Sequence, residues 1–151
     1  MDFYPWLKWL HILLAIIAVG FNISYAVWQA RAARQPEHMG WALRGIKFLD
    51  DRIANPAYGG LLAVGVILVL IGPWEFTDFW VYAALALYGV LAVIAFTVYS
   101  PTLTKSIAAF DAGGATSAEF ARLAERTQRV GGLLGVLVVI LVGLMVLKPG
   151  S

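Results

Sequence analysis

The sequence predicts an all-α membrane protein, a polytopic four-transmembrane-helix bundle with amphipathic connections on one side. Three observations carry that prediction. The 151 residues are 61% hydrophobic and only 13% charged, a balance outside that of soluble domains. Four apolar runs, at about 6–29, 56–72, 79–101 and 129–147, are close to or above the length that crosses roughly 30 Å of hydrocarbon. The basic residues cluster in two of the three connections rather than along the whole chain, as in a threaded membrane protein. A single membrane domain, 1–151, is expected.

The first run begins WLKWLHILLAIIAVGF, follows an acidic Asp2 and is too long for a signal-peptide core, so it reads as a retained span. The second opens near Asn55-Pro56, where proline suits a first helical turn, and stops at Gly72-Pro73. The third ends near Ser100-Pro101. The fourth follows a break at Asp111–Gly114, with Thr116 and Glu119 in capping-box spacing, and its helix continues from about Ser117 to Leu147. Between spans one and two, Ala42, Ile46, Leu49 and Ile53 recur at helical spacing, with Arg44, Lys47 and Asp51 on other faces.

Orientation follows from the positive-inside pattern. Arg31, Arg34, Arg44, Lys47 and Arg52, and then Lys105, Arg122, Arg126 and Arg129, place both long connections in the cytoplasm of a bacterial inner (cytoplasmic) membrane. The acidic turn PWEFTD and both termini belong outside, with Trp6, Trp9, Trp74 and Trp80 as an aromatic belt and Lys8 snorkelling beside them. The basic residues form no dense tract, so membrane lipids are the expected partners and nucleic acid is not. Other membrane subunits or a second copy of the chain are further candidate partners.

Chemistry-bearing residues are few. No cysteine, paired intramembrane carboxylates, metal spacing or phosphate loop is present, which leaves no catalytic constellation. His11 heads a small and polar stripe, with Ala15, Ala18, Asn22, Ala26 and Gln29, that should face the bundle. It reads either as a shallow, hydrogen-bonded histidine or as an axial ligand to haem b or another tetrapyrrole. Met145 is the thioether at a matching depth. His11, Met145 and Asn22 are therefore the candidate cofactor-binding residues, and no metal is expected beyond a haem iron at His11. Gly131-x-x-x-Gly135 and Gly59-x-x-x-Ala63 predict close helix approach, with grooves fit for a lipid tail, quinone or pigment. Tyr58, Tyr82, Tyr88, Tyr99, Asn22 and Thr97 offer interhelical hydrogen bonds, and Asp50-Asp51-Arg52 reads as a charged membrane-surface face.

The stretches WLKWLHILLAIIAVGFNISYAVW, LDDRIANPAYGGLLAVGVILVLIG and TDFWVYAALALYGVLAVIAF resemble a bacterial family of four-span predicted integral membrane proteins of unknown function. That resemblance implies the fold and no activity. More distantly, Leu7-Lys8-Trp9-Leu10-His11 is similar to the first helix of haem-binding membrane protoporphyrinogen oxidases and of copper-resistance D-like proteins. The similarity implies haem binding at His11. Aligned on Trp80, the lysine that the oxidases carry in their third helix is replaced by Ala84.

The expected function is that of a noncatalytic integral membrane protein, an accessory or interaction subunit of a larger membrane assembly. The alternative is a haem- or pigment-binding redox protein with His11 as axial ligand. No internal repeat supports a small permease.

Overall fold

The computed structural model describes residues 3–150, and among these it contains helices and no strand. Helix α1 covers Tyr4–Ala33. A short 3-10 turn, Pro36–His38, leads into α2 (Met39–Leu49), a π-helical segment π1 (Asp50–Ala54) and α3 (Asn55–Ile71). After the turn at 72–78 come α4 (Phe79–Ile94), a second π-helical segment π2 (Ala95–Tyr99) and α5 (Ser100–Gly113). Helix α6 spans Ala118–Leu147. Four helical rods result, over 4–33, 36–71, 79–113 and 118–147, each long and apolar enough to cross a membrane.

The amphipathic segment before span two leads into that span as the first half of one continuous rod. Its inward stripe runs Leu43, Ile46, Asp50, Ala54, Ala57, Leu61 and Val64, all buried, at steps of three or four residues. Pro56 therefore sits inside a helix instead of opening one, and Pro101 likewise. A proline has no N–H to give the carbonyl four residues back, and its ring crowds that carbonyl. In both rods the turn just before the proline is widened: the Asn55 N–H donates to the Asp50 carbonyl and the Ser100 N–H to the Ala95 carbonyl, five residues back.

The break at the other connection falls where glycine predicted it. Gly114 adopts φ 71°, its N–H donates to the Phe110 carbonyl, and the chain turns. The cap of α6 is one residue later than expected: Ser117 Oγ accepts from the Phe120 N–H at 3.0 Å, so the Thr116–Glu119 box does not form.

Helices α1 and α3 pack together, as do α4 and α6, and the two pairs meet through α1–α6 and α2–α5 contacts. Antiparallel α1 and α3 fit by notches, with Leu14 against Gly60 and His11 against Gly65. The expected Gly59/Ala63 pair points outward instead. Consecutive α3 and α4 do not pack backbone to backbone among the described residues. The Tyr88 hydroxyl spans the gap, donating to the Tyr58 carbonyl at 2.7 Å. At the end carrying the basic connections, Phe110 and Phe120 stack edge-on at 5.4 Å, and Ser106 meets Thr127 at 3.3 Å with both side chains buried.

At the opposite end, Trp80 is buried and does not join an outer aromatic belt, whereas Trp6 and Trp9 are exposed. Trp74 meets the Trp80 ring edge-on at 5.2 Å, and Lys148 Nζ lies 3.9 Å from the Trp74 centroid. Burial and the nearby Lys8 charge both lower the Lys148 pKa.

Candidate functional site

The two π segments turn side chains toward one place. Between the helix pairs lies a cavity of about 550 Å³, within the size range of small-molecule sites. Helix α1 contributes Val19, Asn22, Tyr25 and Gln29; π1 and α3 contribute Asp50, Asn55 and Tyr58. The α4–π2 rod adds Tyr88, Leu91 and Tyr99, and α6 supplies Gly132, Gly135 and Val138. Exposed Ile23, Phe96 and Val139 belong to the same lining, so the cavity opens sideways onto the apolar flank of the bundle.

Its floor is polar and only partly satisfied. The Asn22 amide donates to the Tyr58 hydroxyl and to the Ala18 carbonyl, both at 3.0 Å. Asp50 is 5% exposed, and its one hydrogen bond, from the Asn55 amide, is long at 3.4 Å. The Tyr25 hydroxyl is enclosed and, among the described residues, has no hydrogen-bond partner. Buried polar groups are normally paired, and the side chains around the cavity leave these two short of partners.

Why the cavity exists can be read from α6. Gly131 does let a neighbour approach, the Tyr99 ring lying 3.3 Å from where its Cβ would be. Gly132 and Gly135 face nothing within 4 Å. The glycine motif thus produces emptiness over most of its length rather than a helix contact.

The residues singled out from sequence are divided by the fold. Asn22 reaches the cavity; His11 and Met145 do not line it. Met145 packs against the hydrophobic core. The His11 ring faces α3, with Cε1, Nδ1 and Nε2 at 2.9, 3.5 and 3.9 Å from the Cβ position of Gly65. Its Nδ1 is enclosed and has no hydrogen-bond partner among the described residues, although the ring lies near the Leu61 backbone. An axial haem ligand must offer a ring nitrogen to iron along the ring plane. Here Cε1 and Nδ1 rest on α3, so Nδ1 could reach an iron only if α1 and α3 separated.

Asp50 is the residue that the sequence reading misplaced. The Asp50-Asp51-Arg52 cluster is not one solvated face. Asp51 is exposed and paired to Lys47 Nζ at 2.5 Å, whereas Asp50 points inward. Among the hydrogen-bonding candidates, Thr97 bonds back to the Val93 carbonyl of its own helix at 2.6 Å and ties nothing together.

Among the described residues no group of three or more His, Cys, Asp or Glu side chains is placed to hold a metal ion. No curated protein and no solved structure matches the chain. A family model described as "Predicted integral membrane protein (DUF2269)" matches residues 5–149, and the chain belongs to that family of integral, multi-pass membrane proteins.

Proposed function

We propose that this is a noncatalytic membrane protein that takes up an amphipathic small molecule from the lipid phase into the cavity between its two helix pairs. The observation that carries the reading is the lining itself: apolar at a mouth that opens beside lipid-facing Ile23, Phe96 and Val139, polar at a floor holding Asn22, Asp50 and Asn55. A molecule with one polar end and one apolar body matches both parts without leaving a buried polar group unpaired.

Glycines make the test clean. A leucine at Gly135 meets no atom at its Cβ and projects into the cavity, so Gly135→Leu should plug the site and leave the fold unchanged. Purified wild-type protein is expected to carry or take up a lipophilic fluorophore, and Gly135→Leu to lose most of that uptake at equal helicity. Equal uptake by both proteins would remove the reading.

An accessory subunit of a larger membrane assembly is the second reading, supported by the same lateral opening, which a partner's side chains can also enter. Photocrosslinking from Val139 separates the two. Adducts to a second membrane protein favour the subunit, and adducts to lipid or small molecules favour the ligand site. The tetrapyrrole reading has an unpaired His11 nitrogen in its favour and the seating of that ring on α3 against it.

In this reading the basic end faces the cytoplasm of a bacterial inner membrane, so the cavity floor lies toward the inner leaflet. The chain has no cysteine, which makes single labels unambiguous. A cysteine at Glu75 is expected to react with an impermeant maleimide only from outside, and one at Arg122 only from inside; the reverse pattern overturns the orientation.

A further inference from the structure

The cavity floor holds a carboxylate that forms no ion pair with any described residue. Asp50 lies in the buried stripe of the second rod, and among the described residues no lysine, arginine or histidine pairs with it. The Lys47 amine, whose charge reaches Asp50, is bonded to Asp51 through both carboxylate oxygens at 2.5 and 2.7 Å. A buried carboxylate normally occurs with a cation or a full set of hydrogen bonds, and Asp50 has one long bond.

Around it stand aromatic side chains. Tyr25, Tyr58, Tyr88 and Tyr99 all line the cavity, and Tyr25, Tyr58 and Tyr99 lie within electrostatic reach of Asp50. Among the described residues the Tyr25 hydroxyl has no hydrogen-bond partner, although the residue is 2% exposed. Aromatic rings grouped about a carboxylate attract alkylated ammonium groups, which have positive charge and a greasy surface but few protons to donate. A headgroup of net negative charge meets the wrong sign here, because Asp50 repels it.

We propose that the cavity is a site for a lipophilic ammonium ion, its headgroup held by Asp50 among Tyr25, Tyr58 and Tyr99 and its apolar body lying along Val19, Leu91 and Val138. This rests on the amphiphile-site reading above and adds the sign of the ligand's charge. The apolar wall and the exposed mouth let the ligand enter from lipid without its tail crossing water. The carboxylate then supplies the counter-charge that the hydrocarbon does not.

The test uses the full-length protein in maltoside micelles and two labelled probes, decyl-benzyl-dimethylammonium and its uncharged carbon isostere. Wild type is expected to bind the cation about tenfold more tightly than the isostere, the order that a desolvated charge and aromatic contacts provide. Asp50→Asn should weaken the cation about tenfold and leave the isostere unchanged, with helicity and monodispersity as controls. Asp50→Glu, which keeps the charge, should retain the preference and serves if the asparagine variant folds poorly.

Isostere binding that Gly135→Leu abolishes, together with no cation preference, overturns the charge assignment while the cavity reading survives. Failure of Gly135→Leu to affect either probe overturns both. In phosphatidylglycerol nanodiscs, competition by added phosphatidylcholine identifies a choline lipid as the source of the ammonium group. Absence of competition, with the probe still bound, identifies a freely diffusing amphiphile. Both of these outcomes support the site.

Discussion

Gly65→Leu is expected to lower the unfolding free energy in mixed micelles by about 2–3 kcal/mol, at the upper end of what overpacking costs. A Cβ at this position lies 2.9 Å from His11 Cε1, well inside van der Waals contact, and a leucine adds three more carbons beyond it. Neither side yields easily, because the imidazole is the rigid knob that seats α1 on α3 and Leu14 fills the next notch at Gly60. The damage should therefore be coupled to the ring. In the double variant His11→Ala/Gly65→Leu at least half of the loss should return, giving a double-mutant interaction of more than about 1 kcal/mol. Additive effects, within about 0.5 kcal/mol, would show that His11 is not the packing partner of Gly65. His11→Ala alone should cost less than truncating an equally enclosed apolar side chain, because it also removes an unpaired nitrogen.

That histidine illustrates how much of the molecule was legible. Apolar run length predicts four helices able to cross a membrane, and Gly72-Pro73 and Asp111–Gly114 mark the ends of two rods, since hydrocarbon thickness and helix-stopping residues act locally. The stripe from His11 to Gln29 was correctly turned inward in its upper part, and its lower members Asn22, Ala26 and Gln29 line the cavity. What the stripe did not reveal was the neighbour: whether His11 meets a cofactor or a glycine depends on a residue 54 positions away. Asp50 was hidden by its charged neighbours Asp51 and Arg52, although its phase with Leu43, Ile46, Ala54 and Ala57 places it in the buried stripe. The widened turns also had a signal, Pro56 and Pro101 within helices too long to stop there. Gly132 and Gly135 show a different limit. Absence of a side chain permits close approach and permits a void, and only the opposite wall decides which.

Trp80→Ala is expected to be the most destabilising single truncation at the end opposite the cavity, costing about 3–5 kcal/mol. Trp80 is 8% exposed, meets Trp74 edge-on and lies under Lys148, so its ring joins the start of α4 to the residue that ends α6. Truncation opens a void there and withdraws part of the aromatic surface that faces the Lys148 amine. Trp80→Phe separates packing from polarity: it keeps most of the ring and deletes an indole N–H that has no hydrogen-bond partner. Its cost should stay near 1 kcal/mol, the order for a well-tolerated swap of one apolar shape for another. Equal losses for the two variants would mean that the phenyl-sized part of the ring contributes nothing, which overturns the packing assignment. Along the same α4–α6 seam, Ala84 and Leu141 are buried outside the cavity, while Leu91, Leu134 and Val138 form its wall. Clamp and cavity therefore occupy different lengths of one helix pair. Trp80→Ala should lower stability while ligand uptake by the folded fraction stays intact, and Gly135→Leu should do the opposite, so measuring both quantities on both variants shows whether the seam works as two independent parts.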